Sequence, residues 1–151
     1  MNYALLTIAG FQMIGIAVRT EIRTYQHDIP LLWKKFMEEK VMEKIPNKLD
    51  HDVVGLYTDY EGDYSKPYTL IVGCKVSSLD EIPQGMVSKA VPAAKYAVYA
   101  AKGAMPRAVV DTWGVIWKAP LKRAYTADFE LYSSKAFDPV MPEAEIYIAL
   151  K

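Results

Sequence analysis

The chain has 151 residues, 52% hydrophobic and 24% charged, with 18 basic residues balancing 18 acidic ones. That length suits one domain, or two small halves sharing a core, and the apolar content argues against disorder. The zero net charge removes the basic surplus needed to neutralise nucleic-acid phosphates, and one cysteine, Cys74, rules out an internal disulfide.

Residues 3–18 are apolar but broken by Gly10, Gln12 and Gly15, and they lack a basic start. A membrane span needs about 20 apolar residues, so neither a signal peptide nor a membrane helix is expected. A cytoplasmic location is the expectation. Within this stretch, residues 11–20 read as the first strand. Asp28 is expected to cap a helix with Pro30 in its first turn. Leu32, Trp33, Phe36, Met37, Val41, Met42 and Ile45 then recur at helical spacing up to Pro46. His27 and His51 have no partner at metal-ligand spacing and are expected at the surface.

Residues 53–59 and 68–76 read as a hairpin around the turn 60–67, which is dense in Gly, Asp and Pro. Residues 77–91 are the expected linker. A second unit follows in the same order: strand 95–100, a turn ending at Pro106, and a helix with Val109, Val110, Trp113, Ile116 and Trp117 at helical spacing. Strands 126–132 and 145–150 flank a Pro-containing turn at 133–142. Strand-helix-strand-strand thus occurs twice, over about 1–78 and 90–151 of a single domain spanning 1–151. The predicted fold class is α+β: two tandem modules forming an antiparallel sheet, two helices on one face, the other face free, and a ligand cleft between modules. Trp33 and Trp113 are assigned to the core.

Eleven tyrosines are many for this length. A tyrosine-rich sheet explains part of the number; binding surfaces use the same flat apolar body and polar tip. Glu130 lies in a short apolar strand between Phe129 and Leu131 and shares its face with Asp128 and Tyr132. Burying a carboxylate there is costly unless hydroxyl donors or a cationic ligand compensate it. If Phe129 and Leu131 face the helices, Glu130 looks into the cleft as the acidic floor of an aromatic pocket. The strand pattern fits a solvated sheet face equally well.

Several short markers occur in order: Gly15 with Arg19-Thr20, Ile29-Pro30 before Trp33, and residues 57–61, 68–73, 92–99 and 128–132. Together they resemble the GyrI-like small-molecule-binding family, which includes effector-binding domains of AraC-type and MerR-type multidrug regulators. The resemblance implies an aromatic cleft between the modules and a buried glutamate in the penultimate strand, matched here by Glu130. It also implies lipophilic cationic small molecules as ligands, with no cofactor and no metal. No helix-turn-helix precedes residue 1, so a stand-alone sensor or sequestering protein is expected, of the kind also found in mobile gene cassettes. It would act alone or with a separate regulator protein, without direct contact to nucleic acid or membrane. Monomer and homodimer are both open, with residues 11–18 as a candidate dimer edge.

Tyr57, Tyr96 and Trp117 are the preferred partners of Glu130, and Tyr132 shares its face. Tyr60, Tyr64 and Tyr68 sit at the first hairpin, where at least one is a candidate lid. Met13, with Met105, is a candidate adaptable filler. For any one of these tyrosines, ordinary packing fits as well as ligand contact. Glu61 is expected to be solvated, and Arg19 and Thr20 to be structural. Two other functions stay open. One is a hydrolase with Glu130 as general base, although no nucleophile, metal cluster or phosphate loop accompanies it. The other is a gyrase-binding inhibitor, which needs a long acidic surface that mixed charge does not supply.

Overall fold

A computed structural model of the chain describes residues 2–151. Eight strands form one antiparallel sheet: β1 (Ala4–Ile8), β2 (Phe11–Thr20), β3 (Val53–Thr58), β4 (Tyr68–Val76), β5 (Val87–Val91), β6 (Ala94–Lys102), β7 (Ala127–Tyr132) and β8 (Glu143–Ala149). The helices are α1 (Tyr25–Glu38), the single turn α2 (Val41–Lys44) and α3 (Arg107–Lys118). Strand order in the sheet is β1-β6-β8-β7-β3-β4-β2-β5. The fold class is α+β, and strand-helix-strand-strand is observed twice, as β2-α1-β3-β4 and β6-α3-β7-β8.

Two strands extend that pattern. β1 precedes the first unit but pairs with β6 of the second, while β5 precedes the second unit and pairs with β2 of the first. The expected linker at 77–91 therefore ends in a strand, and residues 4–8 form another. Only Ala9 and Gly10 join β1 to β2, and only Pro92 and Ala93 join β5 to β6. Links this short span less than about 12 Å, so the two ends of the sheet are drawn together. Gly10 marks the meeting point: a Cβ there would lie 2.9 Å from the Val91 carbonyl oxygen. Because β2 lies between β4 and β5, residues 11–18 are not an edge. β1 and β5 are the edges.

The rolled sheet buries both of its faces, contrary to the expectation of one free face. α1 and α2 cover Ile14, Ile16, Leu70, Val72 and Cys74; α3 covers Ala97, Tyr99, Ile146 and Ile148. On the other face, Met13, Val54, Leu56, Tyr96, Phe129 and Tyr147 pack against one another without a helix. Phe129 stacks on Tyr147 with ring centroids 4.4 Å apart. Gly15 pairs with Gly73 across β2 and β4, and a Cβ on either would come within 2.1 Å of a carbonyl oxygen on the partner strand. The two backbones approach more closely there than side chains would allow.

α1 starts earlier and stops sooner than its sequence pattern predicts. Thr24, not Asp28, is the N-cap; Asp28 lies within the helix and accepts a hydrogen bond from Thr20 Oγ1 at 2.9 Å. A carboxylate in the first turn suits the positive end of the helix dipole. Lys40 takes a left-handed conformation (φ 50°) and breaks the predicted long helix into α1 and α2. The turn at 133–142 contains a short 3-10 helix over Ser134–Phe137. Among the described residues, no helix is long and apolar enough to cross a membrane.

Candidate functional site

β7 carries the chemistry because side chains alternate along a strand. Ala127, Phe129 and Leu131 enter the helix-free core, so Asp128, Glu130 and Tyr132 face α1 and α3. The condition considered from sequence, with Phe129 and Leu131 toward the helices, is therefore not met. Both faces of β7 are buried, so alternation alone does not say which face the helices cover.

Glu130 is 3% exposed. Three neutral donors hold its carboxylate. Trp113 Nε1 of α3 donates to Oε2 at 2.6 Å, Tyr57 of β3 donates to the same oxygen at 3.0 Å, and Tyr132 donates to Oε1 at 2.7 Å. Space for the group comes from Gly55, its register partner on β3. A Cβ at Gly55 would lie 3.3 Å from Glu130 Oε1 and 3.3 Å from the Trp33 ring. Trp33 in turn meets Tyr132 edge-on at 5.1 Å, and Trp113 meets Tyr57 edge-on at 5.3 Å. The carboxylate is caged.

Burial pushes the Glu130 carboxyl above its ordinary value, and the hydrogen bonds from Tyr132, Trp113 and Tyr57 offset only part of that shift. Burial, followed by the Glu130 charge, raises Tyr57 well above the usual phenol range, so it remains a donor. A folded-state pKa above the unfolded value means that the native protein binds the proton more tightly. The associated stability is complete below about pH 4.5 and is lost as pH rises through the folded pKa. Glu130→Gln, which carries no charge at any pH, should remove this loss. Urea unfolding from pH 4 to 8 should show the variant gaining on the parent as pH rises, and parallel curves would contradict the assignment.

Two residues along the same strand face, Asp128 provides a contrast. It is fully buried, but Arg123 pairs with its Oδ2 at 2.8 Å. Tyr60 donates to Oδ2 at 2.6 Å, and the Ala149 N–H donates to Oδ1 at 2.8 Å. The Arg123 guanidinium lies 4.4 Å from the Tyr125 ring and 6.0 Å from Trp113.

The predicted site residues divide clearly. Tyr57, Tyr132 and Glu130 come together, with Tyr68 5.8 Å from both the Tyr57 and Tyr60 rings. Tyr96 and Met13 lie in the opposite core, because their positions on β6 and β2 place them on the helix-free face. Trp117 is half-exposed at the end of α3, where it touches Tyr25 at 6.4 Å. Trp113, one turn earlier, makes the contact expected of Trp117, and neither Trp33 nor Trp113 is mere filler. Tyr64 is exposed in the 60–67 turn.

Arg19 binds Glu61, the Asp59 carbonyl and Thr69 at the surface, as a structural role predicts. Burial pushes the Cys74 thiol up to about 11, too high for a nucleophile near neutral pH. Among the described residues, no group of His, Cys, Asp and Glu is placed to hold a metal. Gly55, Arg123 and Asp128 were missed as site residues. Gly55 was signalled by a glycine inside a strand and Asp128 by a second carboxylate in the apolar 127–132 run; Arg123 had no local signal.

A family profile described as Cass2, integron-associated effector binding protein, matches residues 5–150. The chain belongs to this family. Cass2 relatives include the integron cassette protein VCH_CASS2 from the mobile metagenome of Vibrio cholerae. Its crystal structure is 31% identical over 99% of this chain and 96% of its own, with a TM-score of 0.78. YobU of Bacillus subtilis (strain 168), described as a candidate transcriptional regulator, is 30% identical over 132 residues, or 85% of this chain and 82% of YobU. SAV2435, solved with tetraphenylphosphonium, shares the fold at a TM-score of 0.83 and 22% identity, over 100% of this chain and 94% of its own. The Cass2 family is one of effector binding.

Proposed function

We propose that this Cass2-family chain binds lipophilic small-molecule cations between α1 and α3, with Glu130 selecting for positive charge. One observation carries this reading. Two carboxylates are buried on the same face of β7, and while Asp128 is neutralised by Arg123, Glu130 has only neutral donors around it. A buried charge without a counter-charge is costly, and a bound cation would offset that cost. The tetraphenylphosphonium held by SAV2435, a protein of the same fold, supports the ligand class.

Most of the affinity would come from apolar area, at about 25 cal/mol per Å² buried. The carboxylate would add the discrimination: at about 6 Å and an effective dielectric near 20, opposite unit charges attract by roughly 3 kcal/mol. Two surface depressions, of about 630 and 360 Å³, lie near Arg19 and near Tyr125, and Glu130 lines neither. Binding therefore requires the rings over Glu130 to part, with Trp113 and Tyr57 exchanging the carboxylate for the ligand. The protein would act as a cytoplasmic sensor or sequestering protein. Titration with tetraphenylphosphonium, followed by tryptophan fluorescence, tests the reading, since Trp33 and Trp113 flank the site. Saturable binding at least tenfold tighter than for neutral triphenylphosphine oxide is expected. Equal affinities would overturn it.

A further inference from the structure

Beside the cage around Glu130 is a second unmet requirement, at Arg123. Arg123 is 7% exposed, and its Nε is buried with no hydrogen-bond partner. Buried donors are almost always satisfied, so an orphan on a guanidinium calls for an acceptor. Asp128 holds the terminal nitrogen Nη2, and the guanidinium carbon lies 4.4 Å from the Tyr125 ring and within 6.0 Å of Trp113. Trp113 adjoins both groups: its Nε1 donates to Glu130 while its ring lies 6.0 Å from the Arg123 guanidinium carbon. Trp113 thus stands beside both an anion lacking a cation and a donor lacking an acceptor.

We infer that the preferred ligands are cations bearing a hydrogen-bond acceptor, such as an ester or amide carbonyl, close to the charge. Glu130 takes the cationic centre and Arg123 Nε takes the carbonyl. The inference rests on the reading above and narrows its ligand class. Asp128 keeps Arg123 in place and neutralises it, so the guanidinium does not repel the incoming cation.

A matched ligand series tests this on the unaltered protein. Triphenylphosphonium ions carrying an ethyl ester on one to four methylenes are compared with alkyltriphenylphosphonium ions of equal length. At the best length the ester should bind about tenfold tighter than its alkyl match, equivalent to about 1.4 kcal/mol. Arg123→Lys, which retains the charge facing Asp128 but lacks Nε, should bring the two to equal affinity. No ester preference at any length, the result expected if a buried water serves Nε, overturns the inference. So does a preference that survives Arg123→Lys. If that variant does not fold, the ligand series alone decides. Loss of the wider cation reading would appear instead as equal affinity for tetraphenylphosphonium and its neutral analogue.

Discussion

Glu130→Gln is expected to weaken tetraphenylphosphonium binding about 10- to 100-fold, while the affinity for triphenylphosphine oxide changes less than about twofold. The magnitude follows from the Coulomb estimate of roughly 3 kcal/mol, reduced by residual screening. Shape is preserved: the glutamine oxygen can accept from Trp113 and Tyr57, and its amide can donate to the Tyr132 oxygen, reversing one bond. The cation and its neutral analogue therefore meet the same rings, and the difference between their losses isolates the charge. Isothermal titration of both ligands against both proteins measures it. Equal losses would mean that Glu130 shapes the pocket without selecting its occupant. Apo stability should move the other way, because the substitution removes a buried charge that no described residue neutralises. Weaker binding with a higher unfolding midpoint is the combination expected of a group kept for function.

Asp128→Asn should be the most destabilising change on β7. It leaves Arg123 buried without its counter-charge, and breaking a buried pair this way costs about 3–5 kcal/mol. That is a large share of the roughly 5–15 kcal/mol that holds a typical domain together. For a chain of this size the melting temperature should fall by about 6–20 °C. The pair Arg107–Asp111 is the control: it is exposed on α3 at 3.6 Å, and Asp111→Asn should cost at most about 0.5 kcal/mol. Replacing both Arg123 and Asp128 with apolar residues should recover much of the loss, since the penalty lies in the unpaired charge. A thermal melt of Asp128→Asn within 2 °C of the parent would contradict the account of a desolvated, charge-neutralised pair. The contrast with Glu130 is the point. On one strand face, removing one carboxylate should unsettle the fold, and removing the other should unsettle only binding.

Much of the fold was legible because it is local. β2 and β4 stand out as β-branched runs between polar turns, and the apolar repeat through Val109, Trp113 and Ile116 marks α3. β1 and β5 were not legible. They are short, largely exposed, and paired with strands far away in the chain, so little in their own composition demands a strand. The split of the first helix was hidden too, because the apolar repeat continues past Lys40 while the backbone turns there.

Alternation along residues 127–132, together with the cost of a carboxylate in an apolar strand, made Glu130 a candidate, and the family resemblance favoured it over a solvated sheet face. Those residues by themselves also determined that Asp128 and Tyr132 share its side, because a strand admits only two sides. Which of the two sides meets the helices was settled by tertiary structure. So were the choice of Trp113 over Trp117, one turn apart on the same helix, and the removal of Tyr96 to the opposite core. Partners drawn from 73 residues away on β3 and 17 away on α3 leave no trace in local sequence. Nor does local sequence reveal that Arg123, five residues before Asp128, neutralises that carboxylate and leaves Glu130 without a cation. Charge compensation depends on distances through the folded interior, and only packing sets them.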